Sequence, residues 1–284
     1  MKRGLVLEGG AMRGMFTAGV LDVLMHEGIT FDGAIGVSAG AAFGCNIKSK
    51  QIGRALRYNM AYCRDPRYCS IASFLLTGDL YNGHFDYQVV PFERDIWDKK
   101  TFEENPMEFY CVATDAATGK PLYHKCTDGG KEDLLWIQGS ASMPIVSKPV
   151  VADGYKLLDG GISDSVPLCY FESIGYDRNV VVLTQPALYR KKEFSRTMEK
   201  VIRTSLRNSP EIVACLLNRY ERYNAEIADI CKKEQEGKVF VIRPSEPLNI
   251  GSVCHKPKEL QRVYETGVKT MEEQKEALIQ FLKG

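Results

Sequence analysis

The segment LVLEGGAMRGMFTAGVLDVL, Leu5 to Leu24, constrains this chain more than any other, because an apolar run passes through a glycine-rich turn into a helical pattern. Gly4–Leu7 reads as a buried strand, and Gly14–Glu27 carries Phe16, Val20, Val23 and Leu24 at helical spacing. Gly28 supplies the C′ glycine that ends such a helix. FDGAIGVS then reads as a second short strand, and AGAAFGCNI restarts a helical pattern. A strand–helix–strand unit this short implies a parallel pair joined by a right-handed crossover. Further strands are expected at Glu108–Ala113, Tyr155–Leu158 and Asn179–Leu183, the last an unbroken NVVVL suited to the centre of a parallel sheet.

The fold class expected is therefore α/β, in a chain whose 284 residues suffice for one large domain with an appendage. Residues 62–106 carry no clear period. After TQPALYRKK the texture changes: Glu193–Lys233 is long, charged and helix-forming, KVFVIRP is one late strand, and Lys258–Leu282 is a final amphipathic helix. The expected division is a catalytic α/β domain over residues 1–190 and a mainly helical extension over 191–284, packed on it.

Charge is nearly balanced, 37 basic against 36 acidic side chains, so no global field points to a nucleic-acid partner. Nine cysteines without a C-x-x-C pair form neither a zinc nor a disulfide framework, and they fit a reducing cytosol. The apolar stretch behind Met1-Lys2-Arg3 is too short for a signal peptide, and no run approaches the ~20 apolar residues of a membrane span. A cytoplasmic protein is expected, with at most peripheral contact with a bilayer.

The turn GGAMRG, Gly9–Gly14, sits where a dinucleotide-binding fingerprint would sit, but Ala11 replaces its middle glycine. The second strand ends in Val37-Ser38 instead of the acidic residue that would hold a ribose, and no G-K-[ST] follows for a Walker loop. A nucleotide-binding module is thus the weaker alternative, beside a turn that merely packs helix on strand.

What ends the second strand is GVSAG, Gly36–Gly40, the G-x-S-x-G pattern of a nucleophile elbow. Gly36 and Gly40 give the clearance that a strand needs to become a helix within one residue. The serine oxygen then stands at a helix N-terminus, whose partial positive charge favours a developing anion. In a parallel sheet both turns would meet at one edge, one supplying the nucleophile Ser38 and the other supplying amides for an oxyanion.

A serine nucleophile requires a proton acceptor. Of four histidines, only His255 follows a late acid in the order of an α/β-hydrolase triad, and it sits in a polar loop. The better candidate is Asp159 in YKLLDGGISDSVPL, closing a short strand before Gly160-Gly161. On local sequence it reads equally as a carboxylate base or as an ordinary D-G turn.

Together, EGGAMRG, GVSAG and DGG, in that order, resemble the patatin-like phospholipase family, and SASMPIVSKPVVADGYKLLDGG is similar to its approach to the aspartate. The resemblance covers Lys2 to Pro186. It implies a three-layer α/β/α sandwich with a mainly parallel sheet, and hydrolysis of acyl esters, commonly of lipids, without metal or organic cofactor. It also implies a Ser38–Asp159 dyad without histidine and an oxyanion hole from Gly9, Gly10 and Ala11, supported by Arg13. Gly14, Gly36, Gly40, Gly160 and Gly161 would support the motifs. Two departures stand out: Ala11 replaces a third glycine, and Ser165 replaces an asparagine common after the D-G-G. A non-catalytic regulator on the same scaffold is the remaining alternative.

Overall fold

The computed structural model describes residues 1–284. Eight strands form one mixed sheet: β1 (Lys2–Leu7), β2 (Gly33–Val37), β3 (Glu108–Asp115), β4 (Pro121–Cys126), β5 (Val150–Ala152), β6 (Tyr155–Asp159), β7 (Tyr176–Val182) and β8 (Val239–Ile242). Their order is β5-β6-β3-β2-β1-β7-β8, with β4 paired to β3. The run from β3 to β8 is parallel throughout, whereas β4, β5 and β6 are joined by antiparallel pairings.

The central strands are apolar on both faces because both are covered. Leu5 and Leu7 point into one core with Phe16 and Phe43, and Val6 points into the other with Phe171 and Tyr223. Alternation along a strand thus feeds two cores and gives the α/β/α sandwich. One layer holds α1 (Gly14–His26), α2 (Ala39–Lys48) and the long helix Pro257–Lys283; the other holds Leu168–Ser173 and Arg219–Gln235.

Helix α1 is buried along nearly its whole length, Gly14 to Leu24, since it lies between the sheet and the last helix. Gly19 and Gly267 let those two backbones touch: a Cβ on either would collide with a main-chain carbonyl, of Tyr264 or of Phe16. Residues beyond 190 also reach the sheet itself, where β8 pairs in parallel with β7.

Two stretches differ from their sequence pattern. Glu193–Lys233 is not one helix but three, Arg196–Ser205, Pro210–Leu217 and Arg219–Gln235. Pro210, lacking an amide hydrogen, can only begin a helix there. The unreadable stretch contains Phe85–Arg94, a π-type helix with Pro91 inside and Asp95 N donating to Val90 O at 2.8 Å. Such i→i+5 winding escapes a search for a 3.6-residue period. No helix is long and apolar enough to cross a membrane.

Candidate active site

The carboxyl ends of β1, β2 and β7 open on one edge of the sheet, where a cavity of about 290 Å³ is lined by Gly9, Gly10, Ala11, Arg13, Ser38 and Asp159. The register of β3 explains how the last two meet. Val37 pairs with Val112, and Asp159 pairs with the next residue, Ala113. Because β4 occupies the opposite edge of β3 over Phe109–Thr114, β2 and β6 share the remaining edge and arrive there end to end, from opposite directions. Ser38 and Asp159 follow and close those two strands.

Ser38 turns strand into helix at φ 54° and ψ −122°, a conformation unfavourable for an L-residue. Its amide donates to Ser140 Oγ at 2.9 Å. Gly9 and Gly40 permit the crowding around it. A Cβ on Gly9 would lie 2.9 Å from Ser38 Cβ, and one on Gly40 would lie 2.8 Å from Glu8 O and closer still to Leu7 O. The amides of Gly9, Gly10 and Ala11 donate to no protein acceptor, which leaves them free for an incoming oxygen. Ala11 itself adopts φ 47°, the left-handed region that a glycine would occupy without strain.

Asp159 is 2 % exposed, and its Oδ1 accepts from Gly161 N at 2.7 Å. Burial raises its pKa above the ordinary carboxylate value; the Arg219 guanidinium, the Ser38 hydroxyl and the Gly161 amide act in the opposite direction. Ser165 Oγ donates to Gly161 O at 2.8 Å and so fixes the turn that follows the aspartate. No histidine lines the cavity. His255 instead pairs its Nδ1 with Cys63 O at 2.5 Å.

Several lining residues carry no motif. Glu8 is buried and accepts from the Thr184 amide, from Thr184 Oγ1 at 3.0 Å and from Tyr223 Oη at 2.8 Å, tying the ends of β1 and β7 to the covering helix. Lys191 and Arg219 reach the cavity from beyond residue 190. Lys191 lies in a locally basic run, the one hint its sequence offers; Arg219 is one charge among many in a helix-forming stretch. Apolar side chains line the cavity as well, among them Tyr58, Tyr68, Leu80, Val90, Leu134 and Ile137, together with the charged Arg54 and Asp86. Ile71, Leu75 and Leu76, from the same segment as Tyr68 and Leu80, face solvent.

His124, Cys126 and Asp133 offer ligand atoms within 4.8 Å of one another. The Asp133 carboxylate is already occupied, by His124 Nε2 at 2.8 Å and by the amides of Thr127, Asp128 and Gly129. That cluster ties the end of β4 to the helix Lys131–Ser140.

The family model described as patatin-like phospholipase matches residues 5–171, the span that holds both turns and the aspartate. The chain belongs to the patatin-like phospholipase family. A second model, of a domain of unknown function, matches residues 209–283 and includes Arg219. Among similar proteins, the uncharacterized protein YjjU of Escherichia coli is 29% identical over 277 residues, covering 93% of this chain and 74% of its own. Lysophospholipase nte1 of Emericella nidulans is 30% identical over 182 residues, which are 61% of this chain but only 11% of that protein. Among solved structures, VipD from Legionella pneumophila aligns with a TM-score of 0.45 at 12% identity, over 96% of this chain and 66% of its own.

Proposed function

We propose that this patatin-like protein is a serine acyl hydrolase acting on lipid esters, with Ser38 as nucleophile and Asp159 as general base. The observation that carries the reading is the arrival of β2 and β6 end to end along β3, with Ser38 and Asp159 at their tips. Ser38 Oγ attacks the ester carbonyl while Asp159 takes its proton, and the amides of Gly9, Gly10 and Ala11 bind the oxyanion. The tetrahedral intermediate collapses, the alcohol leaves with the proton from Asp159, and Ser38 holds the acyl group. Asp159 then deprotonates water, which attacks the acyl-enzyme; the carboxylic acid departs and Ser38 regains its proton. The apolar lining residues would take the acyl chain.

A carboxylate is a weak base at neutral pH, and the burial that raises the pKa of Asp159 improves it. Because the base acts ionised, turnover is expected to fall as pH drops through a value above the ordinary carboxylate pKa, and to hold above it. A pH–rate profile on a nitrophenyl ester checks this.

The direct test is covalent capture. A fluorophosphonate probe is expected to label the wild type and not Ser38→Ala, and both Ser38→Ala and Asp159→Asn are expected to lose roughly 10³-fold or more in turnover. Labelling or hydrolysis that survives in Ser38→Ala would overturn the assignment. A folded wild type inert to probe and ester alike would favour a non-catalytic scaffold.

A further inference from the structure

Ester hydrolysis leaves one part of the cavity unexplained. Arg13, Lys191 and Arg219 line it beside Ser38 and Asp159, yet no carboxylate pairs with any of them. The Nε atoms of Arg13 and Arg219 are buried without a hydrogen-bond partner. Lys191 Nζ lies 4.3 Å from the centre of the Tyr223 ring. The carboxylates that act on this group are engaged elsewhere, Glu8 with Thr184 and Tyr223, Asp159 with Gly161, and Glu226 with the Val166 amide.

Half-buried cations without carboxylate partners repel one another, and the two buried Nε–H groups forgo hydrogen bonds. Their effect is visible on Lys191: burial, then Arg219 and Arg13, push its ammonium down to about 7, against the pull of Glu8 and Glu226. Charges kept together at such a loss are expected where a ligand supplies the missing countercharge. One carboxylate would satisfy one guanidinium. A phosphate offers oxygens enough for two planar forks and an ammonium at once.

We propose that Lys191 and Arg219, with Arg13 at their border with the oxyanion turn, form a subsite for a phosphate group carried by the substrate next to its scissile ester. The preferred substrates would then be phosphate-bearing acylglycerols, lysophospholipids among them, over uncharged ones. The inference rests on the hydrolase reading and assigns a role to residues outside the span matched by the patatin model. It also gives the segment beyond 190 a function, completing the headgroup end of a site whose reactive groups come from the first half of the chain. Arg219 lies near Gly161, whose added Cβ would sit 2.9 Å from the guanidinium and 3.0 Å from Asp159 Oδ1. A phosphate held there stands within a few bonds of an ester at Ser38.

The test compares a 1-acylglycerol 3-phosphate with the 1-acylglycerol of the same chain, both as monomers, in wild type, Lys191→Gln/Arg219→Gln and Arg219→Lys. Wild type is expected to favour the phosphorylated substrate in kcat/KM by about tenfold or more, an effect the charge-assisted bonds can supply. The double variant is expected to lose that ratio, mainly through KM, and Arg219→Lys to keep part of it. A second measurement needs no turnover: glycerol 3-phosphate should raise the melting temperature of Ser38→Ala and should not do so when the two cations are also removed. An unchanged substrate ratio in the double variant would overturn the headgroup assignment, even if free glycerol 3-phosphate binds. Hydrolysis of neither substrate, with the cation-dependent shift intact, would retire the Ser38–Asp159 reading and leave the anion site standing.

Discussion

Two turns touch at the carboxyl edge of the sheet, and each holds a non-glycine residue at positive φ: Ala11 at 47° and Ser38 at 54°. Both positions hold an L-residue at positive φ, but the side chains differ. At Ser38 the strained geometry presents a hydroxyl to the cavity, and a relaxed extended or helical backbone would carry it elsewhere. At Ala11 a positive φ presents a methyl group, while the group the proposed mechanism uses is the amide, which a glycine would offer equally well. Under the proposed mechanism one strain is tied to chemistry and the other is incidental. The comparison separates what the site requires from what this sequence happens to contain.

The strongest way to break this picture is to force the turns apart. Gly40→Val places a side chain against the carbonyls of Leu7 and Glu8, and is expected to destabilise the fold by about 3 kcal/mol or more in urea titrations. Tolerance of that change would mean that the turns are not in contact. Next in size is the strain at Ser38. Ser38→Gly is expected to exceed Ser38→Ala in stability by ~1–2 kcal/mol, the relief of an unfavourable backbone less the extra entropy of an unfolded glycine. Both variants should be inactive, so the difference reports conformation alone. Smallest is Ala11→Gly, expected to gain ~0.5–1 kcal/mol by the same reasoning while retaining turnover. A loss of activity there would show that the methyl group shapes the oxyanion turn, and that the two strains are not of different kinds.

How much of this was legible varies with the kind of signal. The strand–turn–helix pattern at Leu5–Leu24 and the GVSAG turn mark their own positions, since a buried parallel strand is continuously apolar and a tight exit needs small residues. Asp159 was ambiguous locally, because a D-G pair serves hairpins as readily as catalysis. Its meaning depends on the pairing of β6 with β3, between segments far apart in the chain. The helix Phe85–Arg94 escaped notice because its winding has no 3.6-residue period, β4 because its partly exposed residues lack a plain alternation, and β5 because three residues are too few to show one. Lys191 and Arg219 lie in stretches crowded with charge, where nothing separates a solvated lysine or arginine from one turned inward.

The sequence alone determined the order of local events: an apolar strand, a glycine turn, a helix, a second strand, a serine between small residues, and a late aspartate before two glycines. These follow from short-range sterics, which a few neighbouring residues decide. Only the tertiary structure decided that β2 and β6 meet along one edge of β3 and that Glu8 is occupied by Thr184 and Tyr223. It alone also brought in two cations from beyond residue 190 without carboxylate partners. Those outcomes depend on long-range register and on which charges end up without a counterion. Both are properties of packed surfaces, and no stretch of chain carries them by itself.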